Sequence, residues 1–407
     1  MKILIVNAVY KIKSTGRTYF ELSEYARNNG HECLVVYGNS FGNYENSYFM
    51  GGNLDHKLHA LKSRITGKIG CFSLCATNKL IKLIKEYKPD VVHLGNLHGN
   101  YVHIPKLLSY LAKNNIPTSI TLHDCFFFTG YCTHYTLNRC YKWQEQCKNC
   151  KYKEKYMSWF LDRSKYLFNY KLKAFNNNKY LGVIGVSDWI TNEAKKSPIL
   201  NKARRIERIY DWVNLDIFKP TQSDVKEKLN IKDKIVLGSI ASKWDNSKGL
   251  HKILSLANLL SEQYVIILIG NIDKSIQLPN NILHINFVDS INKLAELYST
   301  FDVFLQFSLQ ETFGKVVAEA LACGTPAIVF NSTASPELVE GGCGKVLEVN
   351  ATEKDIYNAI EEIVISGKQF YTENCINRAS ELFNKDKNLK RYLVSFQELI
   401  EIRKNDN

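Results

Sequence analysis

Two glutamates separated by seven residues, a Lys-Gly pair, a His-Asp pair and a run of closely spaced cysteines are the residues of this 407-residue chain whose types and spacing can do chemistry. The glutamates lie in Ser308-Leu309-Gln310-Glu311-Thr312-Phe313-Gly314-Lys315-Val316-Val317-Ala318-Glu319-Ala320, followed by Cys323-Gly324-Thr325-Pro326. The pattern predicts a strand ending near Phe307, a loop carrying Glu311 and a helix opened by Gly314. The first turn of such a helix presents backbone N–H groups without helical acceptors, an anion site made by helix geometry. A diphosphate fits there. Glu319 in the following turns can accept from ribose hydroxyls, and Glu311 from sugar hydroxyls. Isolated, the two acids would read as a solvated loop residue and a surface helix residue; the glycine-bearing apolar frame around them favours a site.

Ile240-Ala241-Ser242-Lys243-Trp244-Asp245-Asn246-Ser247-Lys248-Gly249-Leu250 is a strand end leading into a helix. A lysine there can set its ammonium on a diphosphate beside a helix N-terminus, so that two sources of positive potential act on one anion. Ser14-Thr15-Gly16-Arg17 follows the first apolar run, and a glycine at such a turn lets backbone approach a ligand closely. Thr121-Leu122-His123-Asp124 ends another run, which puts the imidazole at a strand end. Cys132, Cys140, Cys147 and Cys150, the last two as C-x2-C, can close a tetrahedral zinc site that staples an irregular loop. The same four read equally well as buried reduced thiols.

These residues need a frame. Apolar runs rich in Val and Ile alternate with helical periodicity: Lys2–Asn7, His31–Tyr37, Asp90–Leu94, Thr118–Leu122 and Leu181–Val186 read as strands. The pattern then restarts with Ile235–Ile240, Val265–Ile269, Leu283–Phe287, Val303–Phe307, Ala327–Phe330 and Lys345–Val349. Strands alternating with helices predict parallel sheets covered by helices, and the restart predicts two of them. The expected domains are 1–218, with a cysteine-rich insertion at 125–155, and 219–387. A last helix from about Asn388 is expected to pack back on the first domain over 388–407. Ligands of open parallel sheets bind at the carboxyl ends of strands, so the two edges are expected to face each other across a cleft.

Composition narrows the partners. Lys and Arg exceed Asp and Glu by 13, a surplus suited to phosphates, an anionic membrane face or nucleic acid. The start, MKILIVNAVY, turns polar too soon for a secretory signal, and no stretch offers the ~18 apolar residues of a spanning helix. The expected location is the cytoplasm, peripheral on the inner face of the plasma membrane. Eleven cysteines in a long chain of this kind read as reduced thiols or metal ligands. The basic residues are scattered and no nucleic-acid module accompanies them, which argues against a nucleic-acid partner.

With the Glu311 and Glu319 pair, Lys248-Gly249 and His123-Asp124 in place, the chain resembles the family 4 retaining glycosyltransferases of the GT-B fold. That resemblance implies an α/β architecture of two Rossmann-like, doubly wound domains. It also implies a role for each motif: Glu311 contacts the donor sugar, Glu319 the ribose, and the amides of Gly314, Lys315 and Val316, with Phe313 beside them, the diphosphate. Lys248 neutralises the leaving nucleotide, and His123 contacts the donor sugar. Asp124 orients the imidazole or an acceptor hydroxyl. Gly16 falls on a loop near the donor diphosphate, with Arg17 toward the acceptor. The family's second cation, an arginine, is missing; Ser242 and Ser247 stand at the candidate positions, and Lys243 is the nearby charge. Asn96-Leu97-His98-Gly99, the cysteine segment, Asn214, Asp216 and Phe218 match a polysaccharide-biosynthesis branch of the family, of O-antigen and colanic-acid type, placing Asn96 and His98 on the acceptor side.

The implied reaction moves a sugar from a nucleotide-diphosphate donor to a lipid-linked or other oligosaccharide acceptor with retention. No carboxylate is clearly placed under the anomeric carbon, and the resemblance implies a same-face reaction in which the leaving diphosphate takes the acceptor proton while the protein supplies orientation and charge. No Asp-x-Asp motif offers a divalent-ion site, so no cofactor is expected for catalysis beyond a structural zinc at the cysteines. The rival enzymes are a nucleotide-sugar epimerase or a phosphorylase on the same frame; the rival binder is a zinc-bearing nucleic-acid protein.

Overall fold

A computed structural model describes every residue except Ser40, Phe41, Asn43, Met157 and Asn407. The chain folds as two compact units: Met1–Ile209 together with Leu389–Asn407, and Tyr210–Asn388. Each is built on one parallel sheet, giving two Rossmann-like, doubly wound α/β units of the GT-B type.

The first sheet contains β1 (Lys2–Asn7), β2 (Glu32–Tyr37), β3 (Ser47–Phe49), β4 (Val91–Leu94), β5 (Thr118–Leu122), β6 (Leu181–Gly185) and β7 (Arg205–Arg208), in the order β3-β2-β1-β4-β5-β6-β7. All of its pairings are parallel. Helices on both faces bury the central strands entirely, and Ile3, Leu4, Ile5 and Val6 have no exposed surface. That is why the sequence shows unbroken apolar runs rather than alternation. Each such side chain contributes about 1.5–3 kcal/mol by leaving water. The strands the pattern did not announce, β3 and β7, are the two edges; Arg-Ile-Glu-Arg in β7 is half-buried and carries no apolar run.

The second sheet contains β8 (Ile235–Lys243), β9 (Tyr264–Asn271), β10 (Ile282–Ile285), β11 (Val303–Gln306), β12 (Ala327–Phe330) and β13 (Gly344–Leu347), in the order β10-β9-β8-β11-β12-β13. It too is parallel throughout. Strand order reverses between β1 and β4 in one sheet and between β8 and β11 in the other. At such a switch point the loops leave in opposite directions and open a crevice at the strands' carboxyl ends.

The helix Lys385–Asn405 returns to the first unit, where Tyr392 and Phe396 close on the His93 ring of β4. Leu399 meets Gly182 of β6, where a Cβ would stand 3.3 Å from it.

One local expectation is corrected. The first helix spans Lys13–Asn28, so Gly16 lies inside its first turns and not on a loop ahead of it. Ile12 stands at the N-cap without a side-chain cap, which is why no start signal is legible there. Gly16 serves close packing instead: a Cβ would stand 3.3 Å from the backbone of Tyr10 and Lys11, and its carbonyl accepts from the Lys11 N–H at 3.0 Å.

Candidate active site

At the second unit's switch point, β8 runs into a tight turn at Asn246–Lys248, capped by Asp245, whose carboxylate accepts from the Ser247 and Lys248 amides. Gly249 follows with φ +77°, and a Cβ on it would stand 2.4 Å from the Phe307 carbonyl oxygen. Only glycine lets this turn press on the end of β11. The Leu309 N–H donates to the Ser247 carbonyl at 2.9 Å, tying the two loops together. Lys248 therefore reaches Glu311, Nζ to Oε1 2.5 Å, with both side chains partly exposed.

The Glu311 loop is pinned from β12: the Glu311 N–H donates to Thr333 Oγ1 at 2.8 Å, and Ser332 Oγ donates to the Leu309 carbonyl at 2.6 Å. Gly314, with φ +97°, is the N-cap of the helix Lys315–Ala322 and offers no side-chain cap. The first amides of that helix, at Lys315 and Val316, have no acceptor within it. Glu319, about one turn on, is buried and accepts from the Tyr298 hydroxyl at 2.9 Å. Gln306, at the end of β11, accepts from Ser335 Oγ through Oε1 at 3.0 Å. Its buried Nε2 meets no acceptor among the described residues and lies beside Gly314. Phe313 is 3% exposed, its ring packed on Phe383 and Tyr210. Lys243, at the exposed end of β8, helps hold the Asp273 carboxyl below its ordinary range, behind the Ser275 hydrogen bonds that do most of it.

In the first unit, the end of β5 gives two pairs. His123 Nε2 lies 3.0 Å from the Tyr19 hydroxyl, with the rings edge to face. His98 Nε2 lies 2.6 Å from Asp124 Oδ2, while Asp124 Oδ1 accepts from the Phe126 amide at 2.8 Å. Burial alone would lower His98; the Asp124 carboxylate outweighs it and holds the imidazole above its ordinary value. Asp124 itself, although buried, is held below the usual carboxyl range by His98 and the Phe126 amide. Behind them His93, fully buried, is pushed down to about 3 and stays neutral. The Asn96 amide donates to Asn7 Oδ1 at 2.7 Å, so the loop after β4 is tied to the end of β1. Arg17 is exposed on the first helix. Tyr19, Tyr298, Gln306 and Thr333 are the participants that the sequence did not announce.

Cys132, Cys140, Cys147 and Cys150 line one cavity of about 250 Å³, and none is in a disulfide. Burial pushes the Cys132 thiol up to about 12, with the other three thiols adding to the shift. Among the described residues no group of three His, Cys, Asp or Glu is placed to hold a metal ion as it stands.

Comparison with known proteins fits this geometry. Residues 15–217 match the family model "Glycosyltransferase Family 4", and residues 221–381 match "Glycosyl transferases group 1". The chain belongs to the GT-B glycosyltransferase superfamily. Like it in fold are the sucrose-phosphate synthase of Thermosynechococcus elongatus, 16% identical with TM-score 0.71 over 98% of this chain and 99% of that one, and Anabaena Alr3699/HepE in complex with UDP and glucose, 16% identical with TM-score 0.66 over 98% and 100%. In sequence, it is 28% identical to the putative glycosyltransferase EpsF of Bacillus subtilis (strain 168) over 162 residues, 37% of this chain and 41% of that protein. It is 24% identical to N-acetyl-alpha-D-glucosaminyl L-malate synthase of Bacillus anthracis over 237 residues, 55% of this chain and 61% of that protein. The matches thus span about two fifths to three fifths of these two relatives. Among the described residues of this superfamily member, no helix is long and apolar enough to cross a membrane.

Proposed function

We propose that the protein transfers a sugar, with retention, from a nucleotide-diphosphate donor to a lipid-linked oligosaccharide in surface-polysaccharide assembly. The observation that carries this reading is one edge of the second sheet: Lys248 and Glu311 meet at 2.5 Å beside the uncapped start of the helix at Gly314, with Glu319 buried farther along that helix. An ammonium and free helix amides suit a diphosphate, and two carboxylates suit the hydroxyls of ribose and sugar. Lys248 exchanges Glu311 for the diphosphate when the donor enters, freeing the carboxylate for the sugar. As the glycosidic bond breaks, charge builds on the diphosphate, and Lys248 with the Lys315 and Val316 amides stabilises it. The departing oxygen takes the acceptor proton, so no side chain acts as base and no divalent ion is required. The first unit serves the acceptor, through His98, Asn96 and Arg17, with Asp124 orienting His98 and Tyr19 orienting His123 toward the sugar.

UDP complexes of a structural relative support a uridine nucleotide as the first donor to try. The lipid-linked acceptor and a seat on an anionic membrane have support in the first unit. The helix Asn53–Thr66 turns Leu54, Leu58, Leu61 and Ile65 to solvent along one stripe. At its end the Trp159 N–H donates to the Arg64 carbonyl at 3.0 Å, which brings exposed Trp159, Phe160 and Leu161 alongside. Lys57, Lys62, Lys68, Lys151, Lys155 and Lys165, close to these residues in the chain, are exposed too. Exposed apolar side chains with lysines nearby suit the interface of an anionic bilayer.

The test has two arms. Thermal shift against common nucleotide sugars identifies a stabilising donor, and that donor with a lipid-linked saccharide yields an α- or β-product whose anomeric configuration matches the donor's. Inversion, or free isomerised nucleotide sugar without transfer, defeats the reading. Flotation with phosphatidylglycerol vesicles, lost in Leu58→Glu Phe160→Glu but with donor binding kept, tests the membrane seat; equal flotation with neutral vesicles defeats it.

A further inference from the structure

The cysteine segment after β5 takes no part in the transfer chemistry above, yet it holds four thiols around one cavity. We propose that Cys132, Cys140, Cys147 and Cys150 bind one zinc ion as four thiolates, a structural centre that fastens this segment beneath the His98–Asp124 pair.

Three observations point to a ligand there. A backbone amide is aimed at sulfur, the Gly130 N–H reaching Cys147 Sγ at 3.1 Å. Amides so placed stabilise metal-bound thiolates and fix their orientation. Gly130 is also the residue that makes room for Cys147, since a Cβ on it would stand 2.9 Å from the Cys147 Cβ. The third observation is Lys171, fully buried, whose Nζ donates to the Phe126 carbonyl at 2.5 Å and lies 4.1 Å from the Phe126 ring centroid. Among the described residues it forms no direct ion pair, and the groups that act against its burial are the Cys147 and Cys132 thiols first, then the Asp124 carboxylate and Cys71. A buried ammonium is costly unless negative charge lies near it. A four-thiolate zinc centre carries two net negative charges, and Lys171 offsets one of them.

The balance is simple: four thiols and one Zn²⁺ give a tetrathiolate and four released protons, with no change of oxidation state. Zinc–sulfur bonds of ~2.3 Å require the sulfurs to close to about 3.8 Å from one another. The segment can contract, because it consists of short turns at Thr136–Asn138 and Lys142–Gln144 and a single helical turn at Lys153–Tyr156, with loops between. The C-x2-C pair Cys147 and Cys150 supplies two ligands from one knuckle. Once closed, the centre holds the Phe126 carbonyl through Lys171 and the Phe126 amide on Asp124.

The test uses the full chain purified in reductant without chelator. Elemental analysis is expected to find one zinc per chain, lost in Cys147→Ser Cys150→Ser and kept in Cys75→Ser, an exposed thiol away from the cavity. Cobalt exchanged into the wild-type protein is expected to give the thiolate charge-transfer bands of a tetrahedral sulfur site. Should the double variant fail to fold, zinc titration of the wild-type chain decides: the four thiols become protected from alkylation as one equivalent binds. Unprotected thiols after zinc addition, disulfides among the four in the native protein, or stoichiometric iron would each overturn the proposal.

Discussion

The two switch points differ in how they hold their charge. At the second unit's edge, Lys248 and Glu311 are opposite charges that neutralise each other in partial contact with solvent. A pair of that kind is worth little to stability and is readily traded for a better partner. At the first unit's edge, His98 and Asp124 are more deeply buried and a backbone amide locks the carboxylate. The difference teaches that one edge is poised to exchange partners while the other is fixed before any ligand arrives.

Mutations should separate the two. Lys248→Ala should lower kcat/KM by about 10²–10³-fold while moving Tm little, as steady-state kinetics and calorimetry on the same preparation will show. Asp124→Ala should act on stability: about 1–3 kcal/mol lost, because the half-buried His98 ring and the Phe126 amide both lose their hydrogen-bond partner, read from urea unfolding. The pH dependence sharpens this contrast. His98 is held high, so its contribution is complete below its unfolded value of about 6.5 and fades as pH rises through the folded value. Asp124 is held low, so its contribution is present above about 4 and fades as pH falls through its folded value. Tm against pH should therefore carry a shoulder between those limits that His98→Gln flattens, whereas Glu311→Gln leaves it in place.

Smaller effects probe the second edge alone. Gly314→Ala forces a Cβ to within 2.9 Å of Leu338 at a left-handed φ, and should cost about 1–2 kcal/mol together with weaker donor binding by calorimetry. Tyr298→Phe removes one hydrogen bond to Glu319 and should weaken donor binding by about 1 kcal/mol, with kcat unchanged if Glu319 serves only to hold the nucleotide.

The chain announces the second edge more clearly than the first, for a physical reason. Gly249 and Gly314 are written into the sequence because their backbone is left-handed, and the acids lie on a short loop and the helix it enters. Nine of the eleven expected strands are buried central strands whose apolar runs have no other reading. Tyr19, Tyr298 and Gln306 stay silent because each is a buried residue whose polar tip alone does the work, and nothing in a local pattern says where a tip points. The start of the first helix stays silent too, since Ile12 is no capping residue.

The return of the C-terminal helix has a consequence for how the protein is made. Tyr392 and Phe396 pack on the His93 ring, so strand β4 is covered by a segment that joins the growing chain long after it. Until that helix has been made, this flank of the first sheet stands with its apolar side chains open, and chaperones or proteases have a clear mark by which to tell a chain that carries the helix from one cut short of it.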